Sequence, residues 1–173
     1  IDLQKTSSSL AEKKSALEKY ETATSTDNVD GSDTFLNVEY KGENSGNPFT
    51  VQADKAEIKA DDNNIIYMEN IIINVFLEDS EWNVECLVGT YNKLNYNIFC
   101  SQGVKATDGR TVVHSQNFDL LADKSATIYN NVVIIDGDNS RLYADQAIFD
   151  LENKLYHIKM FNKDESVKIK LIN

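Results

Sequence analysis

The chain is poor in the residues that build special chemistry. Its 173 residues include one proline, two cysteines, two histidines and one tryptophan. One proline and seven glycines exclude a collagen-like or proline-rich disordered chain. His114 and His157 form no ligand pair of the His-x3-His kind, and each reads as a solvated histidine on the polar side of a strand. A Gly-x-Ser-x-Gly elbow, a phosphate-cradling glycine loop and an EF-hand spacing are all missing. Positive charge is scarce as well. Seventeen basic residues face 28 acidic ones, and the formal net charge of -11 argues against nucleic acid, whose phosphates need a clustered basic surface. It would also repel an anionic membrane surface. Long hydrophobic runs are absent: the best, Ile65 to Leu77, is broken by Glu69, Asn70 and Asn74. A spanning helix needs about 20 apolar residues. The chain starts at Ile1 rather than Met, so a signal peptide, a membrane anchor or a tag is expected upstream.

What is present is one pattern written many times: a short alternating strand, a polar turn, another strand. The turns include Asp61-Asp62-Asn63-Asn64, Thr107-Asp108-Gly109-Arg110 and Asp136-Gly137-Asp138-Asn139-Ser140. Glycine supplies positive φ there, and Asn or Asp closes local side-chain turns. Asp-Gly is a hairpin signal before it is a calcium signal. Ten strands are expected: Phe35–Lys41, Pro48–Ala60, Ile65–Leu77, Trp82–Tyr91, Tyr96–Thr107, Thr111–Leu121, Ala126–Asp136, Arg141–Leu151, Lys154–Phe161 and Val167–Ile172. Phe49, Val51 and Ala53 share a face opposite Gln52 and Asp54, and Trp82, Val84 and Cys86 oppose Asn83 and Glu85. One face apolar and one wet is the signature of antiparallel sheet around a single core.

The pattern echoes itself at about 30 residues, the range of stacked supersecondary repeats. Ala53-Asp54-Lys55-Ala56 and Ala144-Asp145-Gln146-Ala147 both read Ala-Asp-x-Ala after an alternating strand. Apolar steps of four recur from Tyr67 to Ile71, Cys100 to Val104 and Ile128 to Val132. The N-terminal stretch differs. Ser9-Leu10-Ala11-Glu12 is a capping box opening a short helix to Tyr20, with Leu10, Ala16, Leu17 and Tyr20 on its apolar stripe. Thr22 to Asp33 has no periodicity and reads as a linker, dividing residues 1–33 from a β domain over 34–173. Cys86 and Cys100 fall nearly opposite each other in a hairpin, and they read as buried free thiols, with a disulfide as the alternative in an oxidising compartment.

This organisation builds sheet surface and no catalytic constellation. It points to binding or carrying rather than to an enzyme, with no cofactor or metal. Two other classes compete. One is a ligand-free structural β module with a packed core. The other is a carbohydrate-acting enzyme, which would need converging carboxylates in an open pocket.

The order of several segments narrows the choice. Asn47-Pro48-Phe49-Thr50-Val51-Gln52-Ala53-Asp54-Lys55-Ala56, Ile66-Tyr67-Met68-Glu69-Asn70-Ile71, Gly89-Thr90-Tyr91, Gly103-Val104, Asp108-Gly109 and Arg141-Leu142-Tyr143-Ala144-Asp145 together resemble the periplasmic lipopolysaccharide-export jelly-roll family. Within it they are most similar to LptC, the inner-membrane-anchored branch. The resemblance covers residues 35–161. It implies an all-β fold, an open antiparallel β-jelly-roll of about ten or more strands, preceded by the helix and linker. It also implies a periplasmic carrier of lipopolysaccharide, tethered by an upstream helix, that accepts lipid from an inner-membrane ABC transporter. The lipid would pass to a bridge jelly roll, or the chain would itself be the soluble bridge, joined by edge-strand pairing. Acyl chains would lie among inward-facing apolar residues: Phe49, Val51, Tyr67, Ile71, Ile73, Val84, Val104, Phe118, Ile128, Val132, Leu142, Tyr156 and Ile158. Burying each methylene gives about 0.8 kcal/mol, which suits such a trough.

Overall fold

The computed structural model describes residues 24–27, 31–44, 46–121, 125–151, 153, 155–161 and 166–170. The strands are β1 (Thr24–Asp27), β2 (Asp33–Asn44), β3 (Asn47–Lys59), β4 (Asp62–Phe76), β5 (Glu81–Asn92), β6 (Ile98–Thr107), β7 (Val112–Leu121), β8 (Ser125–Ile135), β9 (Arg141–Asp150), β10 (Leu155–Lys159) and β11 (Lys168–Lys170). Each strand from β1 to β10 pairs antiparallel with the next. Strands β10 and β11 lie end to end against β9, β10 on Gln146–Asp150 and β11 on Arg141–Tyr143. The sheet stays open, with β1 at one edge and the β10–β11 pair at the other.

The turns form as their side chains dictate. Asp108 Oδ1 accepts from the amides of Arg110 (3.0 Å) and Thr111 (2.6 Å), and Asp138 Oδ1 from that of Ser140 (2.8 Å). Asn92 Oδ1 accepts from Leu94 N at 2.8 Å and Asn95 Oδ1 from Asn97 N at 3.1 Å. These bonds, with Tyr96 at positive φ, lengthen the β5–β6 turn, so β6 starts at Ile98 rather than at Tyr96.

One line of irregularities crosses the whole sheet, and it makes the fold. Cross-strand pairing skips Asn37 and Asp54 between β2 and β3, and Asp54 and Asn70 between β3 and β4. Farther along, the register shifts between Glu85 and Val88, Ser101 and Val104, His114 and Asn117, and Tyr129 and Val132. The backbone turns left-handed at Asn37 (φ 53°), Asn70 (52°), Gln102 (65°), Gly103 (69°), Asn130 (65°) and Asn131 (57°). Glycine and asparagine are the residues that tolerate this region. Bulges bend strands, and aligned bulges crease a sheet. Side chains brace the crease: Asn70 Nδ2 donates to Asp54 Oδ2 at 3.0 Å and Asn130 Nδ2 to Asn117 Oδ1 at 2.9 Å. The crease reaches the edge, where Phe161 N donates to Asp145 Oδ2 at 2.7 Å between β10 and β11.

Each long strand therefore contributes one half to each of two facing layers. The Tyr40 hydroxyl meets that of Tyr91 at 2.9 Å, joining opposite sides of the crease across 51 residues of sequence. The core between the layers gathers residues from both halves, such as Ile73, Val84 and Val104 with Ile98, Phe118 and Leu120. The Ala-Asp-x-Ala echo now has a cause. Ala53 and Ala56 both face the core, although residues three apart on a straight strand face opposite ways. The kink at Asp54 changes the phase, and Asp145 does the same between Ala144 and Ala147.

Two sequence readings meet a different outcome, and a third falls where the structure describes nothing. Cys86 and Cys100 are buried as expected, but they are joined in a disulfide with Cα atoms 6.0 Å apart. The hairpin set the two nearly opposite each other, and of the two readings it is the alternative, the bonded pair, that the structure forms. Thr24–Asp27, inside the stretch read as linker, pairs with Asp33–Leu36 of β2. The helix expected over residues 9–20 lies outside the described residues.

Candidate functional site

Because the crease folds apolar halves together, the space between the layers is lined by carbon. It holds a cavity of about 350 Å³. Val75, Trp82, Val84, Ala106 and Val113 line it from one side of the crease, and Phe118, Ile128, Phe149 and Leu151 from the other. The cavity reaches the C-terminal edge of the sheet. There the β6–β7 turn brings Asp108 and Thr111 to the lining, and β10 brings Tyr156. Tyr156 stacks on Phe149 with ring centroids 4.6 Å apart. Partial burial, and after it the Asp108 carboxylate, raise the pKa of the Tyr156 phenol, so acid and phenol flank one mouth. Such a site has an apolar interior and a few polar groups at its rim, at the lower end of the 300–1,000 Å³ typical of small-molecule pockets.

A second cavity of about 270 Å³ lies toward β2, between Phe35, Val38, Tyr40, Val51, Ile58, Ile66 and Met68. Ile71, Ile73, Val104 and Val132, exposed by 1% or less, are buried side chains outside both linings.

The thirteen residues expected to face inward divide accordingly. Val84, Phe118, Ile128 and Tyr156 line the larger cavity, and Val51 the smaller. Phe49, Ile71, Ile73, Val104 and Val132 are buried in the core, and Leu142 and Ile158 pack against it half-buried. Tyr67 does not face inward. Its neighbours Ile66 and Met68 are the buried pair, and Tyr67 stands on the outer face with the Lys59 ammonium 4.2 Å above its ring. The reason is the kink at Asn70, which puts a step of three, Met68 to Ile71, where the sequence suggested a step of four. Val75, Trp82, Ala106, Val113, Ala126, Phe149 and Leu151 are among the lining residues that were missed. Alternation with Val104 would have found Ala106.

Nothing in the described residues gathers three His, Cys, Asp or Glu side chains in metal-binding geometry. No protein-family model and no curated protein matches the chain. Among solved structures it is similar to LptH from Pseudomonas aeruginosa, described as the LptA-homologous periplasmic component of the conserved lipopolysaccharide transport device. The two share 9% identity at a TM-score of 0.52, over 73% of this chain and 96% of LptH. The fold is that of the LptH jelly roll. An open, all-β antiparallel architecture is thereby established, as the strand pattern led one to expect.

Proposed function

We propose that this protein is a lipopolysaccharide carrier of the Lpt type that works in the periplasm and holds acyl chains between the two layers of its creased sheet. The observation that carries this reading is the apolar cavity between the layers, open toward one sheet edge, in a fold shared with LptH. At about 350 Å³ the cavity receives part of the acyl bundle of a lipopolysaccharide. Fuller occupancy parts the layers at the open edge. Release is built in for the same reason, since a trough that is never closed keeps a low barrier to exit.

Transfer requires a partner. Beyond β9 the edge carries the exposed apolar residues Leu155 (54% exposed), Tyr156, Phe161 and Ile169 (66% exposed), and of these Tyr156 borders the cavity. An open strand edge is a template for another chain's strand. A second jelly roll paired there would continue the trough. In the anchored version, the segment ahead of β1 links the β domain to an inner-membrane helix beside an ABC transporter. In the bridge version the chain spans the periplasm without that tether, and the LptA-homologous character of LptH favours this version.

Site-specific photo-crosslinkers in cells separate these ideas from a ligand-free sandwich. Positions Val84 and Ile128 on the cavity wall should capture lipopolysaccharide, and Glu85 on the outer face should not. Equal labelling at all three positions, or none at Val84 and Ile128, refutes the carrier reading.

A further inference from the structure

The outer face of the sheet holds a third hollow, of about 420 Å³, on the opposite side of β5 and β6 from the core. Its floor is made of short side chains: Val88 and Thr90 on β5 and Ser101 on β6. Taller residues wall it. Tyr67 on β4 and Phe99 on β6 flank Thr90 in one cross-strand row, and Tyr129 on β8 stands in the row beside it. Two strand spacings separate Tyr67 from Phe99, about 10 Å.

We propose that this hollow is a second binding site, for a neutral oligosaccharide with flat sugar faces. Three observations point to that class. Aromatic rings stand in steps along a groove, and the negative face of an aromatic ring attracts the weakly positive C–H edges of a sugar face. Phe99, an outward phenylalanine, is 39% exposed and has no place in the core. Second, the polar groups between the rings are hydroxyl partners: Glu57, Glu69 and Asp119 accept, Lys55 donates, and Asn117 does both. Several are already oriented. Tyr129 donates its hydroxyl to Asp119 Oδ1 at 3.2 Å, and Lys55 lies 3.1 Å from Glu69 and 3.7 Å from Glu57. Third, three carboxylates in the lining outnumber the ammonium groups of Lys55 and of Lys59, which sits 4.2 Å over the Tyr67 ring, and that balance rejects phosphorylated or otherwise anionic sugars.

The site is independent of the lipid cavity, which lies behind the same sheet, so each can fail without the other. Titration of the full 15N-labelled chain with cellotetraose and, separately, chitotetraose tests it. Saturable shifts at the amides of Thr90, Ser101 and Asn117 are expected with at least one of the two. Phe99→Ala should weaken that binding about tenfold, and Asp119→Asn should weaken it less while keeping the spectrum dispersed. Ala106→Leu, on the lipid side, should leave it unchanged. The proposal is overturned by a lack of saturable shifts at millimolar sugar, by shifts confined to other surfaces, or by a folded Phe99→Ala variant that binds as tightly as the parent.

Discussion

Filling the interlayer cavity should make the protein more stable and a worse carrier. Ala106 is the position of choice, because it is 1% exposed, lies on the cavity wall and sits between Val84 and Val113 in register. Ala106→Leu adds three carbons facing an empty volume of about 350 Å³. At about 0.8 kcal/mol per buried carbon the gain is about 2.4 kcal/mol. Fixing the leucine rotamer takes back about 0.5–1 kcal/mol, leaving about 1.5 kcal/mol. For a domain of this size that raises the melting temperature by about 3–6 °C. Urea denaturation should show a higher midpoint with an unchanged slope, and photo-crosslinking to lipopolysaccharide from Ile128 should fall in the same variant. Destabilisation by more than about 1 kcal/mol would mean that the wall at Ala106 is already close-packed. A stabilised variant that crosslinks lipid as well as the parent would break the link between cavity and cargo.

Other consequences are open to measurement. Removing the disulfide with Cys86→Ala and Cys100→Ala frees a loop with a sequence separation of 14. The double variant should lose about 3 kcal/mol in urea unfolding, and an unchanged midpoint would show that the crosslink does not constrain the unfolded chain. Gly89→Ala would press a methyl group onto the Phe99 carbonyl and to 2.7 Å from Ile71 Cδ1. It should cost about 1–3 kcal/mol, read as a lower melting temperature. Burial raises the Asp119 carboxyl above its ordinary value of 3.8, and the bond from Tyr129 only partly offsets that shift. The folded state thus binds this proton more tightly than the unfolded one. Stability should fall as pH rises from about 3.8 through the raised pKa and then level off. Asp119→Asn should remove that slope in pH-dependent denaturation, and an unaltered slope would assign it to other groups.

The sequence by itself determined the elements. Alternation of apolar and polar residues fixed where strands run and which face is wet, and Asp, Asn and Gly fixed where they stop. Local chemistry suffices for both, because a strand's side-chain period and a turn's hydrogen bonds involve residues near one another in the chain. Antiparallel sheet around a single core was legible for the same reason, whereas the open jelly roll came from the resemblance of the ordered segments to a known family. Even the crease was written there, as the paired Ala-Asp-x-Ala segments and the steps from Cys100 to Val104 and Ile128 to Val132, although its meaning was not. Tertiary structure decided the rest. A left-handed Asn70 turned Tyr67 outward, since one kink reverses the phase of every side chain on one side of it. The hairpin already set Cys86 near Cys100, but only the folded geometry chose the disulfide over two free thiols. The cavity depended on the fold most of all. Whether an inward-facing residue fills space, like Ile73, or borders it, like Val84, depends on what the opposite layer places against it, and that layer comes from distant sequence.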